Sequence, residues 1–234
     1  MAKMDNFTHA ICFYFEKNLP LPITNVGQEY YRRQLWLQNL GVYDMAAQKA
    51  TCFIYAEHYA KKSPNEVISC LDWYMQNKVP DGVRDMHVFM DNCLSQGKNR
   101  YILAYWMHLA QTRFKTVQLH FPIPGHSYLP IDRTFGNIEK KKRKKDKVPL
   151  PSVWVKLIRE AQPLQPINVA YVQHPVTDTL ADDGTPVVEV RDFKSSLDGI
   201  IMRTIYPRSH RYARCDIRKG LRSTVSGNDD LRGL

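Results

Sequence analysis

Long apolar runs are missing from this chain, and so is any paired-cysteine spacing. No stretch is apolar for long enough to span a bilayer, which argues against a membrane protein. The opening residues Met1-Ala2-Lys3-Met4-Asp5 carry no signal-peptide pattern. The five cysteines, Cys12, Cys52, Cys70, Cys93 and Cys215, include no C-x-x-C pair, so a zinc ribbon or finger is not expected. An odd number in apolar contexts reads as reduced core thiols and an intracellular location. No internal repeat is present. Acidic residues are in deficit, 23 Asp and Glu against 33 Lys and Arg, for a net charge of +10. That balance suits a polyanionic partner such as nucleic acid, or an acidic surface. A basic segment accounts for it as well, because much of the excess lies between Lys140 and Lys147.

What is present points to a folded α/β protein. An apolar share of 44% and 13 tyrosines suffice for a core, and 234 residues allow one large domain, or one of about 150 residues plus a smaller unit. His9 to Phe15 reads as a strand, ended by Asn18-Leu19-Pro20-Leu21-Pro22 because proline cannot continue a ladder. Gln34 to Val42 and Thr51 to Tyr55 complete an antiparallel meander. Ser63-Pro64-Asn65-Glu66 has the form of a capping box, with Val67, Cys70, Leu71, Tyr74 and Met75 on one helical face. A turn at Pro80-Asp81-Gly82 leads to a strand over 86–90. A helix over 100–111 follows, with Ile102, Leu103, Trp106, Leu109 and Ala110 inward. Then come a strand at 116–121 and a helix from Ile131 to about Lys145.

The order β-β-β-α-β-α-β-α implies a mixed sheet flanked by helices. It predicts a core over 8–147. A linker at Pro149-Leu150-Pro151 opens a small C-terminal α/β appendage over 148–220. That appendage holds a helix at 153–161, strands at 167–172 and 187–190, and a turn at Asp182-Asp183-Gly184. Residues 221–234 read as a frayed tail.

Candidate functional residues follow from position. Asp91 stands where a buried strand opens into a Gly/Asn loop, a place where α/β folds put catalytic groups and ligands; a loop Asp capping its own turn is the other reading. Asp132 and Glu139 are seven residues apart and share a helix face. Asp132 also suits the helix dipole, and Glu139 an ion pair with Arg143. His126 reads equally as a general base paired with Asp132 or as a strand-end hydrogen-bonder. Glu66 is explained by its cap. Seven positive charges in the eight positions 140–147 suggest a phosphate-tracking patch and a nuclear-import signal, or a solvated helix end. Lys98, in the loop after Asp91, joins Lys140, Lys141, Lys142, Arg143, Lys144 and Lys145 as candidate nucleic-acid contacts. Tyr30-Tyr31-Arg32-Arg33 mixes stacking and phosphate-binding residue types.

Five blocks then occur in order: Ile11-Cys12-Phe13 with Asn18-Leu19-Pro20-Leu21-Pro22; Tyr30-Tyr31-Arg32-Arg33-Gln34-Leu35-Trp36; Asn65-Glu66-Val67 with Ser69-Cys70-Leu71; Asp91-Asn92-Cys93 with Gln96-Gly97-Lys98-Asn99; and Gly125-His126-Ser127 through Asp132-Arg133, Phe135-Gly136 and Ile138-Glu139. Together, over roughly 9–145, they resemble a family of uncharacterised domains in transposable-element proteins of insects and other animals. The family is similar to ribonuclease-H-like cores of DNA transposases and integrases.

The resemblance implies a nuclease or strand-transferase site. Its carboxylates, here Asp91, Asp132 and Glu139, would hold two Mg²⁺ or Mn²⁺ ions that generate hydroxide and stabilise the leaving oxygen. It implies that strand 9–15 lies beside strand 86–90, with Tyr14 near Asp91 and Asp132 within reach of a shared ion. This chain departs from the family pattern at three places. The family carries Phe-Asp where Phe13-Tyr14 stands, and a neutral phenol is a poor ligand for Mg²⁺. Leu94-Ser95 replaces small residues, and Thr134 stands where an acidic residue is common. Glu16, two residues beyond Tyr14 on the same face, is a candidate substitute. The expectation is a DNA-acting, nuclear protein with impaired catalysis and possible self-association. The alternatives are a non-catalytic nucleic-acid-binding or scaffold protein, or a fragment of a larger transposon protein. No zinc or helix-turn-helix module that could find a DNA site is present, which fits a larger parent.

Overall fold

The computed structural model describes residues 7–24, 34–91, 99–122, 128–173, 185–194, 197 and 217–218. These form one mixed sheet with helices on both faces. The strands are β1 (Thr8–Phe15), β2 (Leu19–Leu21), β3 (Leu35–Asp44), β4 (Lys49–Ala56), β5 (Asp85–Met90), β6 (Thr116–His120), β7 (Asn168–Gln173), β8 (Val187–Glu189) and β9 (Ile217–Arg218). The helices are α1 (Pro64–Lys78), α2 (Arg100–Thr112), α3 (Pro130–Lys142) and α4 (Pro151–Arg159). No helix among the described residues is long and apolar enough to cross a membrane.

The sheet order is β8-β7-β4-β3-β1-β5-β6-β9, with β2 also on β3. β1, β3 and β4 are the expected antiparallel meander. β5 then joins β1 in parallel and β6 joins β5 in parallel, each after a helical crossover. The segment after 148 does not stand apart. β7 pairs in parallel with β4, β8 with β7, and β9 closes the opposite edge antiparallel to β6. The linker is tied in too, through backbone hydrogen bonds between Ile23 and Val148.

Alternation along the strands sends successive side chains to opposite faces. Ile11, Phe13 and Phe15 of β1, with Val88 and Met90 of β5, pack under α1 and α2 around Trp106, Leu71 and Tyr74. Cys12 faces the other side, with Cys52 and Ile54 of β4, under Ile131, Phe135 and Ile138 of α3 and Trp154 and Ile158 of α4. A glycine lets α3 press down. A Cβ on Gly41 would stand 2.6 Å from Phe135 and 2.9 Å from Ile131.

Four local expectations are corrected. Leu19-Pro20-Leu21 does not end the pairing but resumes it, with Pro20 opposite Trp36 on β3. β2 has no partner on its other side among the described residues, so the N–H that proline lacks is not needed. Ser63 is the N-cap of α1, but its side chain makes no cap hydrogen bond to the helix. Its hydroxyl goes to the buried Glu66 carboxylate, which also accepts from Lys61 N–H at 3.2 Å. Leu103 is only half-buried, whereas Ala104 and Tyr105 are in the core, because α2 is covered over more than one face. α3 stops at Lys142, with Arg143 as its C-cap, before the lysine run ends.

Candidate functional site

The parallel register of β1 and β5 aligns Phe13 with Met90. Tyr14 and Asp91 are the residues that follow on each chain, so both lie at the same sheet end, and Tyr14 is on the face that α3 covers. Asp91 is half-buried. Tyr14 packs edge-on against Phe135, ring centroids 5.2 Å apart. Its hydroxyl is buried and has no hydrogen-bond partner among the described residues.

Beyond Phe15, which still pairs with Leu40, the chain bulges. Glu16 N–H still donates to Asn39 carbonyl oxygen at 2.9 Å, and pairing resumes at Leu19 opposite Leu37. Three residues on one strand thus face two on the other, and the extra residue re-aims the side chains between them, as bulges do. Glu16 is 5% exposed, and its carboxylate accepts from Asn39 Nδ2 at 2.8 Å. Burial pushes its pKa up to about 7; the Asn39 bond opposes this, and the nearby Glu139 carboxylate adds to it. Asn39 is itself fully buried, with its amide oxygen unpaired among the described residues. Cys52, on the next strand, is raised by burial and by Glu16.

α3 runs alongside β1 in the same direction. Its first turn lies at Cys12, whose thiol is pushed up to about 12 by burial, with Asp132 adding to the shift. Phe135 lies at Tyr14, and Glu139 at Glu16 and Lys17. The roles of the two helix carboxylates follow from this alignment. Asp132 accepts the Leu129 backbone N–H at 2.8 Å and so caps its own helix, while burial raises its pKa. Glu139 pairs with Lys17 at 3.2 Å and Arg143 at 3.7 Å. Burial alone would raise it, but these cations hold it below the usual carboxylate range. Seven residues put the two carboxylates about 10 Å apart along the helix axis, with Phe135 between them.

The basic run leaves from this same end. Lys140, Lys144, Lys145 and Lys147 are exposed, Lys141 and Lys142 are half-buried, and Lys141 is tied to Glu160 at 3.3 Å. Thr134 is buried and accepts from Gln162 Nε2 at 3.3 Å, a packing role. Lys98, His126, Leu94, Ser95 and Tyr30 to Arg33 lie outside the described residues, as does the tail at 221–234.

Lys17, Asn39 and Phe135 were not among the sequence candidates. A glycine inside a strand signals close approach of another element, so Gly41 could have pointed to Phe135. Asn39 and Lys17 are set by long-range register and carry no local signal.

No curated protein and no solved structure matches this chain. A family model covers residues 32–211, most of the chain. The arrangement of carboxylates and lysines at the end of β1 and α3 therefore belongs to a chain that is a member of the DUF7869 family, a domain of unknown function.

Proposed function

We propose that this chain is a ribonuclease-H-like core of transposable-element origin that binds DNA through the basic end of α3 and has little surviving metal-dependent cleavage chemistry. The observation that carries the proposal is the sheet itself. An antiparallel meander β4-β3-β1 is continued by parallel β5 and β6, with crossover helices on one face, a further helix on the other, and the β1 and β5 ends side by side. That is the frame a nuclease of this type needs.

The donors at that end do not fit a pair of divalent ions. The first-strand position holds a neutral phenol packed on Phe135. Glu139 is taken by two cations, and Asp132 caps α3 about 10 Å away. Among the described residues no three carboxylate, His or Cys groups converge as a metal site. Binding without cleavage is therefore the better-supported half of the reading. Lys17 and the exposed lysines at the end of α3 form one cationic end suited to phosphates, with no base-reading element required.

The test is fluorescence anisotropy with duplex DNA across a salt series. The chain is expected to bind with an affinity that falls linearly in log salt. Replacing Lys140, Lys144 and Lys145 with Gln should lower that slope by up to about 0.9 for each phosphate no longer neutralised. An unchanged slope, or no binding at low salt, would sink the proposal. Incubation with supercoiled DNA and Mg²⁺ or Mn²⁺ is expected to give no nicking.

A further inference from the structure

A second group of ligating side chains lies on the same face of the sheet, over β5 and β6. β5 presents Asp85, His87 and Phe89 there, and β6 presents Thr116, Gln118 and His120; all six are half-buried. The register puts Phe89 beside His120 and His87 beside Gln118, so the two histidines are diagonal neighbours. Their rings are nearly coplanar, 14° apart, with His87 Nδ1 3.1 Å from His120 Nε2. The centroids are 5.4 Å apart, longer than the N···N distance by about two ring radii, so the two nitrogens face each other along the line of centres. His120 is held flat on Phe89, centroids 4.3 Å apart and planes 12° apart. At the far end of the row, the Asp85 carboxylate is engaged by the Thr116 hydroxyl.

We propose that His87 and His120 bind one divalent transition-metal ion, with Zn²⁺ the best-fitting case, so that the ion clamps β5 to β6. Imidazole nitrogen suits Zn²⁺, Ni²⁺ and Cu²⁺ rather than Mg²⁺. Two nitrogens on a tetrahedral zinc, each about 2.0–2.1 Å from it, stand about 3.3 Å apart, close to the separation observed. The ion takes the place of the single proton between the rings. That proton moves to the outer nitrogen of its own ring, so the pair stays neutral and no net proton is released. Because the nitrogens face each other, each imidazole must turn in its own plane by about 35° to aim both lone pairs at one point, a turn that leaves His120 flat on Phe89, and water completes the shell. With only two protein ligands the site is reversible, and it uses β5 and β6 side chains rather than Glu16, Asp132 or Glu139.

The test uses the full chain, stripped with EDTA, then titrated with Zn²⁺ and separately with Ni²⁺. Thermal unfolding and calorimetry are the readouts. One ion per chain is expected, with a saturable rise in Tm of roughly 5–10 °C at hundredfold excess over Kd. His87→Gln and His120→Gln should each abolish the rise while melting cooperatively in EDTA. If one of them does not fold, the other decides. Absence of saturable binding, or a Tm rise that both variants retain, overturns the proposal; the latter places the ion on other ligands. DNA binding is untouched by either result, so the two readings fail separately.

Discussion

At the scale of single residues, the end of β1 is governed by what burial does to two side chains. The Tyr14 hydroxyl is buried without a partner among the described residues, and an unsatisfied buried donor is worth about 1–3 kcal/mol of instability. Tyr14→Phe is therefore expected to be neutral or stabilising by up to about 2 kcal/mol in urea unfolding; a clear loss would show that the hydroxyl has a partner after all. Tyr14→Asp buries a carboxylate against Phe135, at the same sheet end as Asp91, and should lower Tm in EDTA. Mn²⁺ should then raise the Tm of that variant and not of the unaltered chain, if position 14 is where a ligand was lost. Glu16 gives a pH prediction. Its pKa in the folded chain, about 7 against an ordinary 4.5, means the folded state holds the proton more tightly. Stability from this group is complete below about pH 4.5 and is lost as pH rises through 7, by an amount on the order of 3 kcal/mol. Glu16→Gln keeps a polar partner for Asn39 and should stabilise at pH 8 while changing little at pH 5. Equal effects at both pH values would show that burial is not the cause. The position of Asp91 just past the end of β5 was legible in the sequence because a strand ending in a polar loop is a local pattern. Glu16 and Glu139 were also named from the sequence, but their meeting with Asn39 and Lys17 was not legible, because it depends on a bulge and on where a helix far along the chain lies.

At the scale of elements, local chemistry announced most of the fold. β1, β3 and β4 are aromatic and β-branched runs, and α1 carries Pro64 at its first position after a Ser N-cap, a strong start signal. What failed locally was decided by partners. Proline normally ends a strand, yet Pro20 sits in β2 because only one side of it is paired among the described residues. The strand read at 187–190 stands as β8, Val187–Glu189, but β9 is two residues long, too short for any alternation to register. The close seat of α3 on the meander depends on Gly41, where a Cβ would meet the side-chain ends of Phe135 and Ile131 within 3.0 Å. Gly41→Ala should destabilise by about 1–3 kcal/mol through overpacking. Phe135→Leu in that background should recover part of the loss, because it removes the ring that the new methyl meets at 2.6 Å. Additive losses in the double variant would show that the clash is relieved by backbone movement instead.

For the molecule as a whole, the question is where the folding unit ends. Sequence composition marks a boundary at Pro149-Leu150-Pro151, and a core closing at 147 would contain every candidate site residue. The packing runs across that line. Trp154, 1% exposed, donates from Nε1 to Pro20 carbonyl oxygen at 3.1 Å and fills the same core as Phe135 and Ile138. β7 covers the free edge of β4 over four paired residues, Thr51 to Ile54. Losing the C-terminal part would expose that edge, a ready template for pairing with other chains. It would also uncover the apolar surface under Trp154, Val155, Leu157 and Ile158, each worth about 1.5–3 kcal/mol when buried. Set against a typical net stability of about 5–15 kcal/mol, that loss is decisive. A fragment ending at Lys147 is expected to aggregate or to lack a cooperative thermal transition by circular dichroism and size-exclusion chromatography, while the full chain melts as one unit. A soluble fragment with a sharp transition would show that the meander and its two parallel strands fold alone, and that the later strands are an addition to a finished core.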